Sequence, residues 1–365
     1  MSEAERLDRR EVLQWLREEN EGRLAALWAR ADEVRRQNVG DEVHLRGLIE
    51  FSNHCVRQCA YCGLRAGNVS LPRYRMTGAE ILSCARQIVA CGYGTVVLQS
   101  GEDPGVTTEW VEALIRQIKA ETPLAVTLSL GERSDEDLAA WREAGADRYL
   151  LRFETSNREL YERIHPSLLG RASDRPAILR TIKRLGYEAG GGVMVGLPGQ
   201  TYEDLANDVE LFRELDLDMI GVGPYLPHPG TPLGADPQRF AAPPGEQAPN
   251  TELMTYTMVA LARLACPRAN IPSTTALATL NRDRGRELGL ERGANIVMPN
   301  FTPLQHRVNY EIYPAKACLE ETPEQCNACL KQRVLSLGRK VGVGRGDSPN
   351  RTFTPDDAPV RLVEV

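Results

Sequence analysis

From about residue 44 onward, short apolar runs alternate with longer stretches whose apolar residues recur every three or four positions. That alternation restricts the chain to a parallel α/β architecture. The candidate strands are Leu45–Phe51, Thr95–Ser100, Ala125–Leu130, Asp147–Glu154, Gly191–Gly196, Met219–Pro224, Ile271–Thr275 and Asn295–Pro299. Between them, Ile81, Cys84, Ala85, Ile88 and Val89 form one helical stripe, and Leu205, Val209, Phe212 and Leu215 another. Three helices open on capping pairs: Thr77 with Glu80, Ser134 with Asp137, and Thr201 with Asp204. The pattern fits a (β/α)8 TIM barrel, and periodicity alone fits a doubly wound sheet equally well.

Residues 10–37 read as two helices ahead of this core. The expected organisation is an N-terminal helical extension over 1–43, the barrel over 44–310 and a C-terminal extension over 311–365. Eight prolines between Pro224 and Pro249 exclude regular helix or central strand there. They predict a long loop after the sixth strand, on the side where barrel active sites lie. The polar stretch after about Gly342 is expected to be loosely held.

Composition narrows the function. Of 365 residues, 42% are hydrophobic and 26% charged, and the net charge is -6 with no basic run, which argues against nucleic-acid or anionic-membrane partners. No apolar run is long enough to span a bilayer, and MSEAERLDRREV lacks the apolar segment of a signal peptide, so a cytoplasmic protein is expected. Nine cysteines in that reducing compartment point to metal ligands before disulfides.

Directly after the first strand, FSNHCVRQCAYCGLR places Cys55, Cys59 and Cys62 in a C-x3-C-x2-C spacing. Three thiolates suit an iron–sulfur cubane with one iron left open, whereas a structural zinc site would require a fourth ligand such as His54. This spacing, with aromatic Tyr61 before the last cysteine, resembles the signature of radical S-adenosylmethionine (SAM) enzymes. Ser100-Gly101-Glu102, at the end of the second strand, resembles the Gly-Gly-Glu turn of their barrels; on its own it is only a turn. Arg152 and Glu154, two apart in YLLRFET, would share one face of a strand, as ligand-binding charges or as a structural ion pair. The glycine run in AGGGVMVGLPGQ lacks the ending of a phosphate loop and is expected to open room inside the barrel. Cys318, Cys326 and Cys329, spaced C-x7-C-x2-C, suggest a second iron–sulfur site (2Fe-2S or 4Fe-4S), with zinc as the alternative. Cys84, Cys91 and Cys266 read as core cysteines, and His228, in the proline-rich loop, is the one histidine worth testing.

Along nearly its whole length the chain resembles the HydE-type FeFe-hydrogenase maturases, through GLIEFSN, CAYCGLR, RYRMT, VLQSGEDP, VTLSLGE, LGYEAGGGVMVGLPGQT, DMIGVGPYLPHPGTPL, IPSTTAL, GANIVMPN and YPAKAC. Looser forms of the first three occur in biotin synthase and methylornithine synthase. The resemblance implies a complete barrel, a 4Fe-4S cluster on Cys55, Cys59 and Cys62, and reductive cleavage of SAM to a 5′-deoxyadenosyl radical. It implies SAM contacts from Tyr61, Ser100, Gly101, Glu102, Thr127, Glu154, Arg175 and Met194. Substrate contacts would come from Gln99, Ser100, Arg152, Thr274, Thr275, Tyr310 and Tyr313, with Arg152 and Tyr313 as candidate catalytic residues. The implied substrate is a small organometallic molecule, an iron complex carrying carbon monoxide, cyanide and cysteine, attacked at sulfur. The implied partners are a sister radical-SAM enzyme and a scaffold GTPase. The chain departs from the pattern at Phe153, where the family usually has histidine, and in a slightly longer stretch before Arg175. The competing readings are a radical-SAM rearrangement of an amino acid, as in methylornithine synthase, and a non-catalytic Fe-S or zinc protein.

Overall fold

The computed structural model describes residues 7–350 except 169 and 171. Six strands lie parallel and adjacent in chain order: β2 (Gly47–Ser52), β3 (Thr95–Ser100), β4 (Ala125–Ser129), β5 (Arg148–Leu150), β6 (Glu188–Val195) and β7 (Met219–Pro224). The ring then closes through single-residue parallel bridges, Met219 to Asn270, Pro272 to Ile296 and Asn300 to Leu48. The last two staves are therefore the expected runs at 271–275 and 295–299, and the sheet is a barrel rather than an open doubly wound sheet. Only β8 (Ile296–Val297) within them is regular strand; Pro272 and Pro299 have no N–H to give to a ladder.

The first expected strand divides. β1 (Glu42–Leu45) pairs with β8 on one side and with β9 (Lys340–Val341) on the other, and β2 carries on as the first stave. Helices follow the strands and pack outside. The pairs Thr77/Glu80, Ser134/Asp137 and Thr201/Asp204 all form reciprocal capping boxes. The helices Arg9–Leu16 and Glu21–Val39 lie against the outer helices Tyr202–Glu214 and Glu252–Ala265.

Two expectations are corrected here. The proline-rich stretch contains a short helix, Pro232–Ala235, and a 3-10 turn, Pro237–Phe240. Each starts on proline, where the missing N–H has no helical partner to lose. The stretch after Gly342 is not loose as far as it is described. The Arg345 carbonyl accepts from Thr95 Oγ1 (2.7 Å) and Arg148 Nη2 (3.1 Å), the Gly346 carbonyl accepts from Arg46 Nη2 (2.8 Å), and Ser348 is buried. Residues 344–348 thus plug the end of the barrel where the strands begin. Residues 351–365 lie outside the described residues. Among the described residues, no helix is long and apolar enough to cross a membrane.

Candidate active site

The loop bearing Cys55, Cys59 and Cys62 leaves β2 at the end of the barrel where the strands finish. It is stapled by Arg73, whose guanidinium donates to the carbonyls of Asn53 (2.6 Å), Leu64 (2.8 Å), Arg65 (2.8 Å) and Asn68 (3.1 Å). Gly101 lies directly beneath: a Cβ there would stand 2.3 Å from the His54 carbonyl oxygen and 2.8 Å from Cys55 Cβ, so only glycine lets the strand end and the loop meet. Burial raises all three thiols, Cys62 to about 12, and each of Cys59 and Cys62 also feels the charge of its neighbours. Soft metal ions overcome that preference for the protonated thiol, because coordination removes the proton outright.

Beneath the loop is a buried charge cluster in which Arg57, Glu132 and His165 escaped sequence reasoning. Cys59 Sγ lies 3.1 Å from His165 Nδ1, and His165 Nε2 lies 3.1 Å from Glu132 Oε1. Burial, with Arg175 nearby, lowers His165 to about 4, so its ring is neutral. Burial alone would raise Glu132, but His165, Arg175, Ser173 and Arg57 together hold it well below the carboxylate range. Glu102 and Glu132 are both met by Arg57, at 2.5 and 2.8 Å, and Arg175 donates to Glu132 Oε1 at 3.0 Å. Glu102, Glu132 and His165 come close enough to hold a cation, but two guanidinium groups already occupy that position. The Glu102 and Arg175 side chains are thus engaged in this cluster, and Arg175 also donates to the Arg152 carbonyl (2.6 Å).

Several of the expected ligand contacts surround the barrel interior. Thr127 Oγ1, Arg152 Nε, Glu154 Oε2 and Tyr225 OH are buried with no hydrogen-bond partner among the described residues. Regular strand ends at Leu150, so the period-two argument for Arg152 and Glu154 does not hold. They meet instead because Glu154 adopts a left-handed backbone (φ 66), which brings its carboxylate 3.3 Å from Arg152 Nη2. A non-glycine residue in that region is strained, and such strain persists where the surroundings pin it. Here β6 does so: Glu154 N donates to Gly192 O (3.0 Å) and Met194 N donates to Glu154 O (3.1 Å). Gln99 Nε2 bonds Tyr310 OH at 3.2 Å, and Ser100 Oγ donates to the Gly101 carbonyl at 2.7 Å. Thr274 caps the helix Thr275–Leu280, its hydroxyl standing over Gly223 of β7, and Tyr313 is within electrostatic reach of Arg152. Tyr61 lies near Glu154 and Arg175. Phe153 faces the other way, into the core against Phe212 (5.7 Å), so the departure from histidine does not reach the interior.

The glycine run serves a different purpose from the one expected. A Cβ at Gly191 would strike Leu217 (2.7 Å), and one at Gly192 the Gly221 carbonyl oxygen (2.1 Å); these glycines allow close packing. Interior room lies instead on β7, where a Cβ at Gly221 meets nothing nearer than 3.7 Å. The mouth is covered by two segments that meet the cysteine loop at Gly63. Gly63 N donates to Ile312 O (3.0 Å), and a Cβ on Gly63 would strike both the Glu311 carbonyl oxygen (2.1 Å) and the His228 ring (2.7 Å).

The second cysteine group also comes together. Cys318, Cys326 and Cys329 line one pocket of about 160 Å³, rimmed by Arg282, Arg286 and Arg333. A hydrogen bond from Cys326, aided by Arg286 Nη2 at 3.3 Å, lowers the Cys318 thiol. Cys84 is buried as expected, while Cys91 and Cys266 are half-buried at helix C-caps.

Comparison with known proteins agrees with this geometry. The model of the radical SAM superfamily matches residues 49–212. The chain is 46% identical to the FeFe hydrogenase maturase subunit HydE of Thermotoga maritima, over 93% of this chain and 94% of that one. It is 31% identical to 3-methylornithine synthase of Methanosarcina acetivorans, over 92% of this chain and 89% of that one. The crystal structure of methylornithine synthase (PylB) superposes with a TM-score of 0.78 at 27% identity, covering 92% of this chain and 94% of that one. Radical SAM enzymes of this type use a 4Fe-4S cluster and SAM, and the residues present fit both. Three soft ligands stand on one short loop, and unpaired buried polar atoms face the space beside it. The chain is a radical SAM enzyme and belongs to the HydE-type FeFe-hydrogenase maturase family.

Proposed function

We propose that this chain acts in assembly of the FeFe-hydrogenase diiron site, on an iron complex carrying carbon monoxide, cyanide and cysteine. In this reading a sister radical-SAM enzyme supplies the complex and a scaffold GTPase receives the product. The observation that carries it is identity of 46% with the Thermotoga maritima HydE over nearly both whole chains. When bound, the 4Fe-4S cluster with SAM supplies one electron and a 5′-deoxyadenosyl radical.

Cys55, Cys59 and Cys62 hold the cluster, and the Ser100–Glu102 turn offers its backbone to SAM while the Glu102 side chain braces the cysteine loop through Arg57. Glu154, held in its strained conformation, offers SAM a buried carboxylate oxygen that accepts no hydrogen bond and meets only the Arg152 guanidinium at 3.3 Å, with Thr127 offering a hydroxyl and Tyr61 and Met194 apolar surface. Arg175 acts at one remove, fixing the Arg152 carbonyl and Glu132. Arg152, Thr274, Thr275 and Tyr313 offer donors to the cyanide and carboxylate of the complex, and Gln99 with Tyr310 closes the opposite wall. The segment around Tyr310 and the loop after Pro224 exclude water from the reacting centre. Cys318, Cys326 and Cys329 hold a peripheral cluster.

Complementation tests this reading. The chain, expressed with the two other maturases and an apo-hydrogenase, is expected to restore hydrogen evolution. Soluble, cluster-loaded, SAM-cleaving protein that restores none across several partner sets would favour an amino-acid rearrangement instead.

A further inference from the structure

Glu50 is a single acidic residue in the apolar strand GLIEFS. Its neighbours Ile49 and Phe51 belong to the core beneath the outer helices, so Glu50 faces the barrel interior, in register with Gln99 and, beyond it, Ser129. There it pairs with the ammonium of Lys316, with 1% and 6% of the two side chains exposed. Its other oxygen accepts from Asn300 Nδ2 at 2.8 Å.

A buried ion pair is seldom a gain in stability, because desolvating both charges offsets most of their attraction. The position of this one is informative. Lys316 Nζ stands 5.3 Å from the Tyr310 ring centroid, and Tyr313 lies within electrostatic reach of both Glu50 and Arg152. Lysine carries three donors, and among the described residues Lys316 gives only one hydrogen bond, to Glu50. Arg152 and Lys316 are thus two fixed cations near Tyr313, Arg152 directly and Lys316 through its partner Glu50. Each is neutralised by one carboxylate; among the described residues Arg152 Nε is buried without a partner, and Lys316 uses one of its three donors.

We infer that Lys316 is a substrate-anchoring residue: its ammonium, oriented by Glu50, takes an anionic acceptor group of the substrate at the end opposite Arg152. The chemistry fits an iron-bound cyanide or the carboxylate of an amino-acid ligand, both compact anions that accept hydrogen bonds. This rests on the proposed substrate class. It adds a second charge contact, which would fix which end of the complex faces the cysteine loop.

The test uses the full chain, cluster-loaded and SAM-bound, with three probes: the synthetic iron–carbonyl–cyanide–cysteine complex, thiocyanate and L-cysteine. Loss of one buried charge-assisted hydrogen bond in Lys316→Met should weaken binding of the complex, relative to SAM, by at least about tenfold. A parallel loss for thiocyanate assigns the contact to cyanide, and a parallel loss for cysteine assigns it to the carboxylate. Because Lys316→Met leaves Glu50 buried without a counterion, the uncharged pair Glu50→Gln/Lys316→Met is measured too. It should recover the melting temperature but not the binding. Wild-type affinity in Lys316→Met, or binding recovered together with stability in the double variant, would overturn the assignment, as would a wild-type protein that binds none of the probes. Lys316-dependent binding of thiocyanate or cysteine without binding of the complex would leave the anion site standing and remove the maturase reading.

Discussion

Arg148 and Arg152 lie four residues apart on either side of the end of β5, and they have opposite fates. Arg148, at the start of the strand, is fully buried and donates to Glu188 (2.9 Å), Thr95 (3.0 Å), the Arg345 carbonyl (3.1 Å) and Asp347. Arg152, past its end, donates to the Val193 carbonyl and faces Glu154, and its Nε has no hydrogen-bond partner among the described residues. One end of the barrel uses its arginine to tie the plug at 344–348 to three strands. The other leaves donor capacity in reserve. Burial of a charge therefore does not by itself mark function in this molecule; Arg152 is set apart from Arg148 by a buried donor left without a partner among the described residues.

The comparison predicts that mutations at the two ends separate stability from chemistry. The largest effect on folding is expected for Arg148→Met, which removes the buried guanidinium shared by Glu188 and Asp347: a loss of about 3–5 kcal/mol, seen as a lowered denaturation midpoint. Arg152→Lys should instead keep the midpoint within about 1 kcal/mol of wild type and damage substrate turnover, because a point charge cannot reproduce the planar fork. Glu154→Gln should weaken SAM binding by roughly tenfold, in line with loss of one charge-assisted contact. Equal, mild effects of both changes on SAM affinity alone would make the Arg152–Glu154 pair structural and erase the contrast with Arg148.

The outer pocket extends the comparison. Replacing Cys318, Cys326 and Cys329 together by alanine should lower the iron content while 5′-deoxyadenosine formation continues, since these residues sit outside the barrel interior. Loss of that product from a folded variant would tie the pocket to radical generation.

The smallest effect concerns Asp208, which accepts from Ser156 N (2.6 Å) just beyond Glu154. Burial raises its carboxyl from 3.8 to about 7. The native state therefore keeps a proton that the unfolded chain has shed across that interval. The resulting stability is full below the unfolded value and is lost as pH rises through the folded one. Asp208→Asn keeps the acceptor and removes the slope. It should raise the melting temperature by a few degrees at pH 8 and change it little near pH 4. An equal shift at both values would refute the assignment.

Much of this was legible from local pattern. The capping boxes and the staves depend on neighbours within a few residues and form as their patterns imply, and the three C-terminal cysteines line one pocket. What escaped was fixed by ring closure. Glu50 and Lys316 are 266 residues apart, and the Arg57–Glu132–His165 cluster joins three separate loops. Only one trace of the former shows locally, a lone charge in an apolar strand. The Arg152–Glu154 pair was found although the strand had already ended, because a left-handed turn brought together what regular alternation would have. The plug at 344–348 reads as polar tail because its partners are carbonyls and buried arginines contributed by distant strands.

On the proposed function, Cys55, Cys59 and Cys62 form a radical-SAM centre at the end of the barrel where the strands finish. The most direct measurement is 5′-deoxyadenosine released from SAM by anaerobically reconstituted, dithionite-reduced protein, wild type against the triple alanine variant. Release from the wild type and none from the variant, with loss of the cluster's EPR signal, is the expected result. Continued release from a folded triple variant would contradict it.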